Sequence, residues 1–345
     1  MAYTIALMEG DGLGPVFCDR AEQIFEAIGN RFGFEIHCTR LPFGKSALDQ
    51  YGSALPDQTV MGIQEADGAV FFGVDLEHIT GPSPVGALRK KLKLTAEVRE
   101  VQSLPSGWCF RPDIRIAFVR EISQGFLSDR NLYDGCGEWM TDENTAMSLR
   151  VITYDASRSI AHRAFRYAEQ EHIDHVTAIH KVGIFKKTCG LFLSACRDEA
   201  AYWPNIRYDE KAADDAAAQI ISDPTFFGVV VTTNMFGDIL SDEAAALVSG
   251  RCVGANYGEN AAVYMSVHHG ADWAELEADR YDPVPRLLCL VQILKDLGQH
   301  EAAAFLRQAV LDCARDSTKT GTAFFRELFL QIQERSSGGY ALWQI

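Results

Sequence analysis

The chain has 345 residues, enough to bury a large core and to form two domains or one elaborate one. A formal net charge of −15 argues against nucleic acid and anionic membranes as partners, and no run approaches the roughly 20 apolar residues of a membrane span. Nine cysteines are scattered without a CxxC pair, and the N-terminus lacks a signal-peptide pattern, so reduced thiols and a cytoplasmic location are expected.

Tyr3 to Met8 reads as a strand running into the glycine-rich turn Gly10-Asp11-Gly12-Leu13-Gly14-Pro15. Apolar residues at Phe17, Ala21, Ile24, Phe25 and Ile28 predict a helix after it. Phe34 to Leu41 and Gly68 to Val74 read as further strands. Strand, helix, strand at short spacing predicts an α/β fold with a largely parallel core. The G-x-G-x-G turn is weak evidence for dinucleotide binding, because the full G-x-G-x-x-G fingerprint is absent. Arg89, Lys90, Lys91, Lys93 and Arg99 form the one cluster able to offset the acidic balance toward an anionic ligand.

The polar stretch 128–144 predicts a loop or a projecting hairpin arm. Helices are predicted over about 156–170 and 211–221, with a strand over Val176 to Ile179 leading into His180-Lys181. From Pro285 onward the pattern is mainly amphipathic helix.

Val229 to Gly250 is the most informative run. Its β-branched start reads as a buried strand, and an alanine-rich helix follows Gly237. Asp238 and Asp242, four residues apart, would project from one helix face a turn apart. Such a pair of hard oxygen ligands invites Mg²⁺ or Mn²⁺, and it equally suits helix-start aspartates stabilised by the macrodipole.

The whole string N-x-F-G-D-I-L-S-D-x-A-A resembles the signature of the metal-dependent β-decarboxylating dehydrogenases, the isocitrate and isopropylmalate dehydrogenase family. Other blocks fall in that family's order: the GDGLGP turn, Ala87 to Glu100 with Arg89 and Arg99, the V-R-E strand with Arg120, the H-K block with Lys181, and the helix with Asp214. The resemblance implies an isopropylmalate-dehydrogenase-like two-domain α/β fold, with a mixed twisted sheet flanked by helices. Residues 1–100 with 253–345 would form the large, cofactor-side domain. Residues 101–252 would form the small domain, with the dimer interface and an intersubunit clasp near 128–144.

The resemblance also implies roles. Arg89, Arg99 and Arg120, with Ser83, would bind the carboxylates of a 2-hydroxy di- or tricarboxylic acid, a task that suits the guanidinium fork. Asp214, Asp238 and Asp242 would hold Mg²⁺ or Mn²⁺, and Lys181 would transfer the proton. Lys181 and Asp214 would come from the neighbouring subunit of a homodimer. Asn256, one or both of His268 and His269, Gly270, Ala271 and Asp282 would face the cofactor. Glu275, Glu277 and Asp279 would repel a 2′-phosphate and favour NAD, whereas Arg280 and Tyr281 pull the other way.

Several positions depart from the family's pattern. Leu127 stands where a proton-donating tyrosine is expected, and Tyr133 is a possible substitute. Gly183 and Val85 replace asparagines, Val16 a glutamate, and Glu97 the asparagine of A-N-x-R-P. The retained Ser83 points to a polar substituent at the substrate's C3. Two functions are expected to compete: an NAD- and metal-dependent oxidation, with decarboxylation, of an acid of the isocitrate or 3-isopropylmalate type, and a non-catalytic regulatory or structural subunit.

Overall fold

The computed structural model describes residues 1–80, 83–104, 109–126, 137–315 and 320–334. They divide into two compact units, one from residues 1–84 and 263–334, the other from 85–104 and 109–262. The strands carrying Arg99 and Asn256 therefore pack with the second unit, whereas the division at 100 and 253 puts them with the first.

The first unit is built on β1 (Ala2–Met8), β2 (Glu35–Leu41), β3 (Gly68–Phe71) and β12 (Ala262–Ser266). They lie in the order β2-β1-β3-β12, and every neighbouring pair is parallel. Helix α1 (Leu13–Phe32) buries the predicted stripe Phe17, Ala21, Ile24, Phe25 and Ile28. The short helices α2 (Gly44–Tyr51) and α3 (Asp57–Gln64) were not legible in the sequence. The rest is helical: α9 (Trp273–Glu277), α10 (Val284–Asp296), α11 (His300–Ala314) and α12 (Gly321–Glu334).

The glycine-rich turn is a packing device. Gly12 has φ +57°, and a Cβ there would lie 1.9 Å from the carbonyl oxygen of Ala271. The carboxylate of buried Asp11 accepts from the backbone N–H groups of Lys45 (2.8 Å), Ser46 (2.8 Å) and Asp75 (2.9 Å). It ties α2 to the loop after β3 and is occupied by those bonds.

The second unit holds β4 (Ala96–Gln102), β5 (Arg115–Glu121), β8 (His175–His180), β9 (Arg207–Ala212), β10 (Val229–Thr232) and β11 (Val253–Tyr257). Their order is β11-β4-β5-β10-β8-β9. The β11–β4 and β4–β5 pairs are antiparallel, and β5–β10, β10–β8 and β8–β9 are parallel. Its helices are α4 (Pro84–Lys91), α5 (Tyr154–Gln170), α6 (Thr188–Ala200), α7 (Ala213–Ser222) and α8 (Asn234–Leu247). Helix α5 turns Ile160, Ala161, Ala164, Phe165 and Ala168 onto Val119, Val176, Val229 and Val231 of the sheet. That face recurs at helical spacing, which is why the sequence revealed it.

Helix α7 begins at Ala213, two residues later than expected, because Lys211 and Ala212 finish edge strand β9. That strand, at a sheet edge, is mostly charged and carries no apolar run. The arm is an exposed hairpin of β6 (Glu138–Asp142) and β7 (Thr145–Ser148). The remainder of the predicted arm, 128–136, lies outside the described residues, as do Leu127 and Tyr133.

Candidate functional site

Strand register assembles most of the second unit's candidates. Across β11, β4 and β5, Asn256 faces Glu97, and Glu97 faces Arg120. Arg99 lies two residues along β4 from Glu97 and so shares its face. Helix α8 then lays Asn234, Asp238, Ser241 and Asp242 against the two arginines. Gly237 permits that approach, since a Cβ there would lie 2.8 Å from Cγ of Arg120.

The contacts form a connected charge network. Arg120 donates through Nη1 to Glu97 Oε2 (3.0 Å) and to Asp238 Oδ1, and through Nη2 to Asn234 Oδ1 (2.7 Å). Arg99 donates through Nη2 to Glu97 Oε1 (3.2 Å), and through Nη1 to Ser241 Oγ (2.8 Å) and Asp242 Oδ1. Arg89, in the last turn of α4, donates to Asn256 Oδ1 (2.9 Å) and places Nη2 3.7 Å from Glu97 Oε2. Glu97 is only 2% exposed. Burial works to raise its carboxyl, but Arg99, Arg120 and Arg89 outweigh it and hold the group well below the usual carboxylate range.

Asp238 and Asp242 differ from Glu97 in exposure, with side chains 42% and 58% accessible. Each is held by a guanidinium through Oδ1. Two outward carboxylates one helical turn apart offer oxygen ligands of the kind Mg²⁺ and Mn²⁺ take. Asp214 is not beside them. It stands in the first turn of α7, with Oδ1 2.5 Å from Nζ of Lys181, which follows β8. That contact with Lys181 holds its carboxyl below the ordinary aspartate range. Among the described residues no three His, Cys, Asp or Glu side chains of this one chain gather into a metal-holding group. The donor set fits a divalent cation only if a further ligand comes from outside this cluster.

Arg120, Asn234, Lys181 and Asp214 all lie at or just beyond the carboxyl ends of the parallel strands β5, β10, β8 and β9. Ligands of open α/β sheets bind at such ends. At Gly183 a Cβ would meet nothing within 4 Å, so the absent asparagine side chain leaves open space.

The cofactor candidates of the first unit also follow strand ends. Residues 267–272 follow β12, with Val74 N–H donating to His269 O (2.9 Å) and Leu13 N–H to Ala271 O (2.9 Å). His269 turns Nδ1 toward the carbonyls of Ser266 and Val267 and sets its ring edge-on to Phe71, while His268 is exposed. Gly270 is exposed, and Asp282 accepts from Val284 N–H (3.0 Å) at the start of α10. Tyr281 is 3% exposed and edge-on to Phe17, so it belongs to the core. Glu275 and Glu277 are exposed on α9, whereas Asp279 accepts from Thr322 N–H (2.9 Å) and Oγ1 (3.1 Å).

Not every candidate is open to a ligand. Asn256 is fully buried and engaged by Arg89. Ser83 is exposed immediately before α4. Sequence reasoning assigned no role to Asn234 or Ser241, and Glu97 stood out only as a departure. The signals were present: Asn234 is four residues before Asp238 on one helix, and Glu97 is two before Arg99 on one strand.

Residues 4–327 match the family model described as isocitrate/isopropylmalate dehydrogenase. The chain is 36% identical over 318 residues to the 3-isopropylmalate dehydrogenase of Archaeoglobus fulgidus, covering 92% of this chain and 93% of that one. It is 32% identical over 330 residues to the homoisocitrate dehydrogenase of Methanocaldococcus jannaschii, covering 90% and 89%. Its fold is similar to a crystal structure of isocitrate dehydrogenase from Methylococcus capsulatus, with a TM-score of 0.85, 30% identity, and coverage of 97% and 100%.

Proposed function

The chain belongs to the isocitrate/isopropylmalate dehydrogenase family, and we propose that it oxidises a 2-hydroxy acid bearing further carboxylates, with NAD as hydride acceptor, Mg²⁺ or Mn²⁺ bound, and subsequent loss of CO₂. One observation carries this: two exposed aspartates on one face of α8 each hold the tip of a buried arginine. In this arrangement the guanidiniums neutralise the aspartates. With Asp238 and Asp242 holding a cation instead, Arg99 and Arg120 would be free of those pairings and would bind substrate carboxylates, with Arg89 beside them. Bound there, a divalent cation would lower the pKa of the substrate hydroxyl and stabilise charge developing on that oxygen.

Lys181 would move the proton at Nζ. Its pairing with Asp214 supports delivery of both by one chain to the site of a second copy, where Asp214 would complete the metal ligands. A homodimer is supported by exposed apolar side chains, Trp139 and Met147 of the hairpin and Ile239 beside Asp238. His268 and Gly270, both exposed, would meet the cofactor, whereas Ala271 is buried against the Gly12 turn. Tyr281 is withdrawn into the core and Glu275 and Glu277 are exposed, which supports NAD. The cysteines, free thiols in every described case, suit a reducing compartment such as the cytoplasm.

The test is to supply purified protein with NAD, Mn²⁺ and a panel of 2-hydroxy acids, and to record NADH and CO₂ together. NADH with matching CO₂ is the expected result. The second function, a regulatory role without turnover, is favoured by Leu127 at the tyrosine position. Bound Mn²⁺ with no NADH from any acid would select it.

A further inference from the structure

We propose that Glu97 fixes the carboxylate count of the substrate, admitting 2-hydroxy dicarboxylates and discriminating against tricarboxylates. This rests on the hydroxy-acid function above and narrows it.

Arg89, Arg99 and Arg120 carry three positive charges at the centre of the second unit's site. A divalent cation would balance Asp238 and Asp242, which leaves the arginines to match the ligand. Glu97 already takes one equivalent: its two oxygens lie 3.2 Å from Arg99, 3.0 Å from Arg120 and 3.7 Å from Arg89. It is 2% exposed and engages all three guanidiniums, so with a divalent cation balancing Asp238 and Asp242 the cluster keeps two net positive charges. Two substrate carboxylates neutralise it. A third would approach a buried like charge with no unmatched arginine to receive it. Repulsion between unit charges about 6 Å apart, at an effective dielectric of about 20, corresponds to on the order of a hundredfold in affinity.

Val85 agrees with this. It lies one helical turn before Arg89 on α4 and is 6% exposed. An isopropyl side chain donates no hydrogen bond to a third carboxylate.

The experiment compares wild type with Glu97→Gln, which keeps shape and removes the charge. With Mn²⁺ present, malate, 3-isopropylmalate and isocitrate are titrated by calorimetry, and NADH formation is followed in parallel. Wild type should bind the two dicarboxylates in preference to isocitrate by on the order of a hundredfold. Glu97→Gln should shift the ratio of affinities, and of KM values, toward isocitrate by about tenfold or more. Wild-type preference for isocitrate, or an unchanged ratio in a folded Glu97→Gln, would overturn the proposal. If the variant does not fold, the wild-type comparison decides alone. Selective dicarboxylate binding without NADH from any acid would refute the dehydrogenase function and leave the carboxylate count standing. NADH formed from isocitrate at least as well as from the dicarboxylates would do the reverse.

Discussion

Glu97 and Arg120 face each other across the antiparallel pair β4–β5, and Arg120 Nη1 donates to the Glu97 carboxylate at 3.0 Å. Both are nearly fully buried. Truncating the arginine would leave an ionised carboxylate with less compensation and Asn234 without its donor. Arg120→Ala should therefore lower unfolding stability by about 3–5 kcal/mol. Arg120→Lys, which keeps the charge and loses the fork, should cost less stability while still weakening carboxylate binding. Urea unfolding of the two variants beside wild type measures the difference.

Lys181 and Asp214 form an exposed pair, with side chains 33% and 64% accessible. Such pairs add little to stability. Lys181→Ala should therefore melt close to wild type yet lose turnover. A variant that melts normally and retains turnover would remove Lys181 from the proton-transfer role.

Glu121 ends β5 with its carboxylate accepting from the N–H groups of Ser123 (2.7 Å) and Gln124 (3.0 Å). Burial pushes it up from the ordinary 4.5 to about 7, against those hydrogen bonds and Arg120. Below pH 4.5 folded and unfolded chains both carry the proton. Between about 4.5 and 7 the folded chain keeps a proton the unfolded chain has lost, so stability falls as pH rises through that window. The loss amounts to about 3 kcal/mol. Glu121→Gln should remove this slope, which urea titrations of both proteins at pH 5 and pH 8 would reveal as a narrowing difference.

Exposed Glu275 and Glu277 and the core position of Tyr281 predict better use of NAD than of NADP. Glu275→Lys should move the kcat/KM ratio toward NADP by roughly tenfold. Initial rates with each cofactor at fixed substrate decide it.

Much of the frame was legible because apolar periodicity reports burial. α1, α5 and α8 repeat apolar or small residues at helical spacing, and β1 and β10 carry the short continuous apolar runs of buried strands. β9 was missed because an edge strand of charged residues lacks that signal, and α2 and α3 because eight residues give too few turns for it. The site divides in a similar way. Motif spacing carried Asp238 and Asp242 to one helix face and Arg120 to the end of a strand, whereas the pairing of that strand with the one carrying Arg99 is seen only in the fold. Glu97 could not be given its place, because its meaning lies in cross-strand register with Asn256 and Arg120. Nor could the burial of Tyr281, which depends on Phe17 from a distant part of the chain.

On the proposed function, Asp238 and Asp242 would hold the cation that oxidation requires. This role is tested most directly by NADH formation from a 2-hydroxy dicarboxylate as Mn²⁺ is titrated into wild type and Asp242→Asn. Wild type should depend on Mn²⁺ absolutely and saturate with it. Asp242→Asn should need far more Mn²⁺ or give no NADH, while melting as a folded protein. Equal rates at equal Mn²⁺ in the two proteins, or full wild-type activity after chelation, would contradict the account.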